Sequence, residues 1–260
     1  MKNEVPILEY HDLSERPHKV RDFHSPYILL NTKFYKQMEW LSKNGYRALT
    51  IDDLLRNNIS EKAVVLTFDD GHISNYKLAF PILMNFNFVA TFFVIPEFLS
   101  QKGYITRQQI LEMYEQGMKF ESHSLTHPYL LSLTKEEIIL ELRKSKEKIE
   151  EIINSDINHF SVPYGFYNKY LVRCVNNAGY KSLVTEDFGY YKPKKDSFHV
   201  LPRFTVKSQT ELSKFTNIVE KRKLKLINDY LEALFIQNFK RILGFKVYIR
   251  LKSLALKASI

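Results

Sequence analysis

Two carboxylates stand side by side at the end of an apolar run, Ala63-Val64-Val65-Leu66-Thr67-Phe68-Asp69-Asp70-Gly71. A β-branched run of this kind reads as a buried parallel strand. Parallel α/β folds keep their chemistry at the carboxyl ends of strands. Successive strand residues point to opposite sides, so Asp69 and Asp70 can take different jobs if Gly71 turns the chain at once. An Asp-Gly turn accounts for the same residues without any chemistry. A second group lies in Phe120-Glu121-Ser122-His123-Ser124-Leu125-Thr126-His127-Pro128. His123 and His127 are four positions apart, a spacing that can bring two imidazoles to one ion. Pro128 argues against a regular helix at His127, which puts the pair on a loop after a short strand. One Asp with two His is a usual three-ligand set for a catalytic zinc, with positions left open for water and substrate.

These residues need a scaffold that brings strand ends together. Residues 5–10 read as a first strand closing on His11, and residues 12–30 as a loop over the site. Asn31 or Thr32 caps a helix to about Asn44, and Asp52 begins a short helix ending near Asn58. Residues 74–87 form an apolar helix in which Pro81 predicts a kink or a late start. Residues 88–95, 118–122, 159–163, 180–184 and 198–206 read as further strands. Helices over 106–115, 134–154 and 167–177 separate them, the second opened by a Thr134/Glu137 capping box. Strand and helix thus alternate six or seven times, which predicts a parallel sheet, closed or nearly closed. The length suits an α/β barrel of the TIM type.

The segments Thr67-Phe68-Asp69-Asp70-Gly71 and His123-Ser124-Leu125-Thr126-His127 resemble the first two motifs of the polysaccharide deacetylases, carbohydrate esterase family 4. Phe160-Ser161-Val162-Pro163-Tyr164-Gly165 resembles the third, and Leu201-Pro202-Arg203 a segment of the branch acting on exopolysaccharides. The resemblance covers roughly residues 5–206. It implies a distorted (β/α)7 barrel and hydrolytic removal of an acetyl group from N-acetylated amino sugars of a glycan. It also implies a divalent metal, Zn2+ by preference, on Asp70, His123 and His127, with Asp69 as general base. The Pro163-Tyr164 turn would face the substrate, and the Tyr164 N–H would meet the oxyanion. Family members carry a general-acid His near the end of the domain. Here Ile7-Leu8-Glu9-Tyr10-His11 offers it at the start, as in a circularly permuted branch, so His11 takes that role. Many members have Arg where this chain has Ser161; Arg203 is the residue expected to reach Asp69 from another direction. Asp187 and His199 are read as ordinary surroundings of the pocket.

Cys174 is the only cysteine among 260 residues, so an intrachain disulfide and a cysteine metal cluster are excluded. The net charge is +9, and the stretch after residue 220 carries ten Lys/Arg against two acids. The expected organisation is a catalytic domain over 1–210 and a basic amphipathic helical extension over 211–260. Residues 221–260 suit contact with an anionic membrane, and no nucleic-acid motif accompanies the charge. No signal peptide and no spanning run is read near Met1, so the expectation is a cytoplasmic protein, peripheral on the inner membrane face. Its substrate would then be a lipid-linked or nucleotide-linked saccharide precursor. Rival readings are a carbohydrate O-acetyl esterase, a catalytically silent glycan-binding member of the fold, and a scaffold recruited to membranes by the extension.

Overall fold

The computed structural model describes residues 4–17, 24–56, 59, 61–193, 196–238, 247, 250 and 251. In chain order the regular elements are β1 (Ile7–Tyr10), β2 (Asp12–Ser14), β3 (Ile28–Leu30), α1 (Asn31–Lys43), β4 (Arg47–Leu49) and α2 (Ile51–Leu55). Then come β5 (Ala63–Phe68), α3 (Phe80–Asn85), β6 (Thr91–Val94), α4 (Arg107–Glu115), β7 (Lys119–Ser122) and α5 (Lys135–Ile153). The last are β8 (His159–Ser161), α6 (Lys169–Asn177), β9 (Ser182–Val184), β10 (His199–Leu201), β11 (Phe204–Thr205) and α7 (Leu212–Val219).

The main sheet is parallel and runs β10-β9-β8-β7-β6-β5-β1-β11, with β4 paired to β5. Its two ends belong to one stretch of chain. Leu201 in β10 is registered with Val184 in β9, and Phe204 in β11 with Leu8 in β1. Residues 199–205 therefore act as one strand bent at Pro202, pairing first with one neighbour and then with the other. Proline supplies no N–H to a ladder, so a change of partner is a tolerable place for it. With this strand counted once, β1, β5, β6, β7, β8 and β9 complete a seven-strand curled barrel, the (β/α)7 architecture the motifs imply.

Local chemistry sets the elements. Thr50, Thr106 and Thr134 each close a capping box at the start of α2, α4 and α5. Asn154 ends α5 in the left-handed region at φ 49°. The expected irregularity at Pro81 is a wide π turn over Asn75–Ala79. It runs straight into α3, whose first turn holds the proline, where a missing N–H costs nothing. The short helix predicted from Asp52 runs over Ile51–Leu55, and positions 57 and 58 lie outside the described residues.

Alternate strand residues face two cores. Outward, Tyr10, Phe68, Phe92 and Phe120 form a stack, with ring centroids 5.2, 4.8 and 5.5 Å apart. Inward, Ile7, Val65, Phe93, Val184 and Leu201 cluster with Ile51 and Leu54 of α2. Packing on the barrel continues past residue 210, because α7 buries Phe215, Ile218 and Val219 and the Phe215 ring meets Trp40 of α1 edge-on at 6.3 Å. Residues 227–238 are helical, tied down by the ion pair of Lys214 with Asp229 and by Gln237 donating to Asp187. Among the described residues no helix is long and apolar enough to cross a membrane. Phe239, Ile242, Leu243, Phe245, Lys240, Arg241, Lys246, Lys252 and Lys257 of the predicted extension lie outside the described residues.

Candidate active site

β5 ends at Phe68, and the chain turns immediately: Asp70 and Gly71 both take φ 72°. A Cβ on Gly71 would approach Val94 Cγ1 to 3.2 Å, so glycine suits both the conformation and the space. The turn sends the two carboxylates apart. Asp70 Oδ1 lies 3.4 Å from His123 Nε2 and 3.5 Å from His127 Nε2. One donor atom from each of the three residues falls within 4.8 Å of the others. His72 Nε2 approaches the other oxygen, Oδ2, at 3.4 Å.

The two imidazoles are presented by different means. His123 follows the end of β7, and its Nδ1 lies 2.8 Å from the carbonyl of Ser161. Donation there fixes the ring with Nε2 as the nitrogen that faces Asp70. His127 sits on the following loop at φ 60°, with Ser124 at φ 65°. Glu141 of α5 pins that loop, accepting from the N–H of Leu125 (2.8 Å), the N–H of Thr126 (3.0 Å) and the Thr126 hydroxyl (2.7 Å). Burial and the neighbouring His123 push the His127 pKa down to about 4, so its ring is neutral near pH 7. An oxygen and two imidazole nitrogens, one ring oriented by a carbonyl behind it, fit a borderline divalent cation such as Zn2+, which would take the place of the proton that, despite burial, Asp69 and Asp70 favour on His123.

Asp69 is 2% exposed and anchored from several sides. Arg203 gives it two parallel bonds, Nη1 to Oδ1 and Nη2 to Oδ2, each 2.7 Å. The Ser161 hydroxyl donates to Oδ2 at 2.9 Å and itself accepts from Arg203 Nη2 at 3.0 Å. The remaining guanidinium donors reach Thr67 Oγ1 and the Thr185 carbonyl, both at 3.1 Å. Burial alone would raise the Asp69 pKa, but Arg203 and His123 outweigh it and hold it at about 2. Arg203, carried by the bent closing strand, therefore supplies the guanidinium that Ser161 cannot.

His11 lands on the other side of Asp69. Donor atoms of Glu9, His11 and Asp69 lie within 4.8 Å of one another. Tyr27 packs on the His11 ring at 4.7 Å. His11 Nδ1 and Glu9 Oε1 are buried without a hydrogen-bond partner, while Glu9 Oε2 accepts from the Thr205 hydroxyl at 3.1 Å. Pro163 is buried at the start of the third-motif turn. Tyr164 follows at φ 62°, with its ring 4.6 Å from that of His127. A Cβ on Gly165 would fall 2.7 Å from Glu186, so only glycine fits behind Tyr164. The structure thus brings Asp69, Asp70, His123, His127, His11, Tyr164 and Arg203 to one end of the barrel.

The sequence profile of the polysaccharide deacetylases matches residues 56–183. YxkH of Bacillus subtilis, named for the same family, is 32% identical over 190 residues. The alignment covers 71% of this chain and 65% of YxkH, so the chain spans a little under two thirds of that relative. The deacetylase PplD of Streptococcus pyogenes, solved in complex with acetate, superposes with a TM-score of 0.77 at 26% identity over 84% of this chain and 99% of PplD. The chain belongs to the polysaccharide deacetylase family. A polysaccharide deacetylase from Bacillus cereus superposes with a TM-score of 0.73 at 26% identity, over 83% of this chain and 69% of that one. The poly-beta-1,6-N-acetyl-D-glucosamine N-deacetylase of Staphylococcus aureus is 24% identical over 200 residues, 69% of this chain and 68% of that enzyme.

Several residues of this site escape a reading of the sequence. His72 was visible only as the residue after Gly71. Glu141 lies mid-helix among many charges, and nothing in its spacing points to the His loop. Ser161 reads as a loss of arginine but still bonds both Asp69 and Arg203. Asp187 accepts from Tyr167 and Gln237, and His199 lies beside Tyr191.

Proposed function

We propose that this polysaccharide deacetylase is a metal-dependent hydrolase that removes the acetyl group from N-acetylated amino sugars of a glycan or glycan precursor. The observation that carries the reading is the meeting of Asp70, His123 and His127 donors beside a separate carboxylate, Asp69, already locked by Arg203. Asp70, His123 and His127 would hold the cation. Bound there, a divalent ion such as Zn2+ lowers the pKa of a water toward about 7 and polarises a carbonyl oxygen.

The chain's own groups do the rest. Asp69 accepts a proton from the attacking water while the water oxygen bonds to the acetyl carbon. Arg203 and Ser161 hold the carboxylate in line and keep it ionised. The Tyr164 N–H meets the oxygen on which negative charge develops, a contact that gains strength only as the carbonyl becomes tetrahedral. His11 protonates the departing amine as the C–N bond breaks, a task suited to an imidazole near neutral pH. Acetate and a free amino sugar leave. Acetate release from an N-acetylglucosamine oligomer is the test. It should stop with chelator and return with Zn2+, and Asp69→Asn should lower kcat by about 10²–10⁴-fold while retaining the ion. Release only from O-acetylated sugars would shift the reading to an esterase. Saccharide binding without acetate release would make the protein a silent member of the fold.

The helix at 227–238 supports a second role. Leu224, Ile227, Leu231 and Phe235 are 87%, 53%, 57% and 68% exposed at spacings of three and four, beside Lys221, Arg222, Lys223 and Lys225. An apolar stripe flanked by cations suits an anionic membrane surface, and with it a cytoplasmic, peripheral location. Deleting residues 221–260 should abolish co-sedimentation with phosphatidylglycerol vesicles and spare metal content. Equal sedimentation of both forms would remove the idea.

A further inference from the structure

A second group of metal-ligating side chains lies one layer below the active site. Glu121 and His159 are two residues before His123 and Ser161 on β7 and β8. They share the inward face of those positions and sit about 7 Å beneath them by the rise of a strand. Asp52, from α2, meets them. One donor atom each of Asp52, Glu121 and His159 falls within 4.8 Å of the others.

His159 is 1% exposed, and its Nε2 has no hydrogen-bond partner. Asp52 Oδ1 lies 3.4 Å from it, in ion-pair range but off the hydrogen-bond line. The other ring nitrogen, Nδ1, is 2.9 Å from the Ser182 hydroxyl, a contact that fixes the ring with Nε2 turned into the cluster. Glu121 takes the N–H of Asn158 at 2.9 Å and of His159 at 2.7 Å on Oε2; Oε1 takes neither. The Asp52 side chain is 25% exposed, which gives an ion a way in.

We propose that Asp52, Glu121 and His159 form a second divalent-cation site, distinct from the one at Asp70, inside the same barrel. Two carboxylates and one imidazole select a borderline ion such as Zn2+ or Mn2+. An ion there would give His159 Nε2 the partner that Asp52, off its hydrogen-bond line, does not supply, and would offset the charge of buried Glu121 and half-buried Asp52 at once. Its work is structural: it ties α2, which plugs the inner core, to β7 and β8. Arg56 and Lys181 also act on Asp52 and compete with the ion.

The test counts ions. Full-length protein is stripped with chelator and dialysed against Zn2+, and separately against Mn2+; metal per chain is then measured by mass spectrometry. Wild type should hold two ions, His123→Ala one, His159→Gln one, and the double variant none. Asp52→Asn, at the partly exposed rim, gives the same readout if His159→Gln fails to fold. A wild-type count that neither His159→Gln nor Asp52→Asn lowers overturns the proposal. A count lowered by His159→Gln but untouched by His123→Ala would instead remove the catalytic site and leave this one standing.

Discussion

The upper and lower layers of the barrel interior set the same residue types in opposite electrostatic surroundings. Above, Asp69 is buried but faces a fixed guanidinium, and its pKa is held at about 2. Below, Glu121 is equally buried. Burial pushes its pKa up to about 7, and His159 with two main-chain N–H groups pulls it only part of the way back. The difference teaches how the fold reserves an anion. Asp69, the carboxylate proposed as the base, is given a permanent cation, bidentate and itself bonded on every N–H-bearing nitrogen. Glu121, with one imidazole and two main-chain N–H groups against full burial, is not held ionised in the same way.

The largest effect expected from breaking this contrast is at Arg203. Arg203→Ala strands Asp69 as an uncompensated buried charge and should cost roughly 3–5 kcal/mol of stability, measured by urea denaturation. Acetate release should fall with it, and the Asp69 pKa should climb toward that of Glu121. Glu141→Ala comes next. It removes three bonds that pin the His127 loop and should weaken Zn2+ affinity about 10–100-fold, read by competition with a chromophoric chelator. The smallest effect belongs to the lower layer. In chelator, Glu121→Gln keeps an oxygen for the two N–H donors and drops a reluctant charge, so stability should stay within about 1 kcal/mol of wild type. With Zn2+ present the wild type should gain more stability than the variant, which keeps only the upper site. A large loss in chelator would show that the lower layer is already balanced without an ion.

Much of the upper layer was legible because its residues lie close together in the chain. Asp69 and Asp70 are adjacent, His123 and His127 are four apart, and a strand end plus a turn suffices to aim each pair. His11 and Arg203 could be named through the family resemblance of their segments, and alternation of strand and helix pointed to a parallel, nearly closed sheet whose seven strands the resemblance supplied. What stayed hidden depends on partners far apart in sequence. Glu141 reaches the His loop only once α5 has docked. Asp52, Glu121 and His159 come from three unrelated segments, and each alone reads as an ordinary helix-start or strand residue. The one local clue is parity: Glu121 shares a face with His123, and His159 with Ser161, which places charged groups where a barrel interior expects apolar ones. The left-handed conformations at Ser124, His127 and Tyr164 also left no mark, since none is a glycine. Each costs of order 1–3 kcal/mol, supplied by packing that the sequence does not display.

The bend at Pro202 has a consequence for biogenesis. The last strand of the ring must join the first, Phe204 beside Leu8, and the same stretch delivers Arg203 to Asp69. A nascent chain that has emerged from the ribosome only as far as β9 holds both aspartates and both histidines of the motifs, yet lacks their counter-charge. Such contacts between distant segments form late. Ring closure and the arrival of the counter-charge at Asp69 are thus one event, and a polypeptide ending before residue 203 should release no acetate.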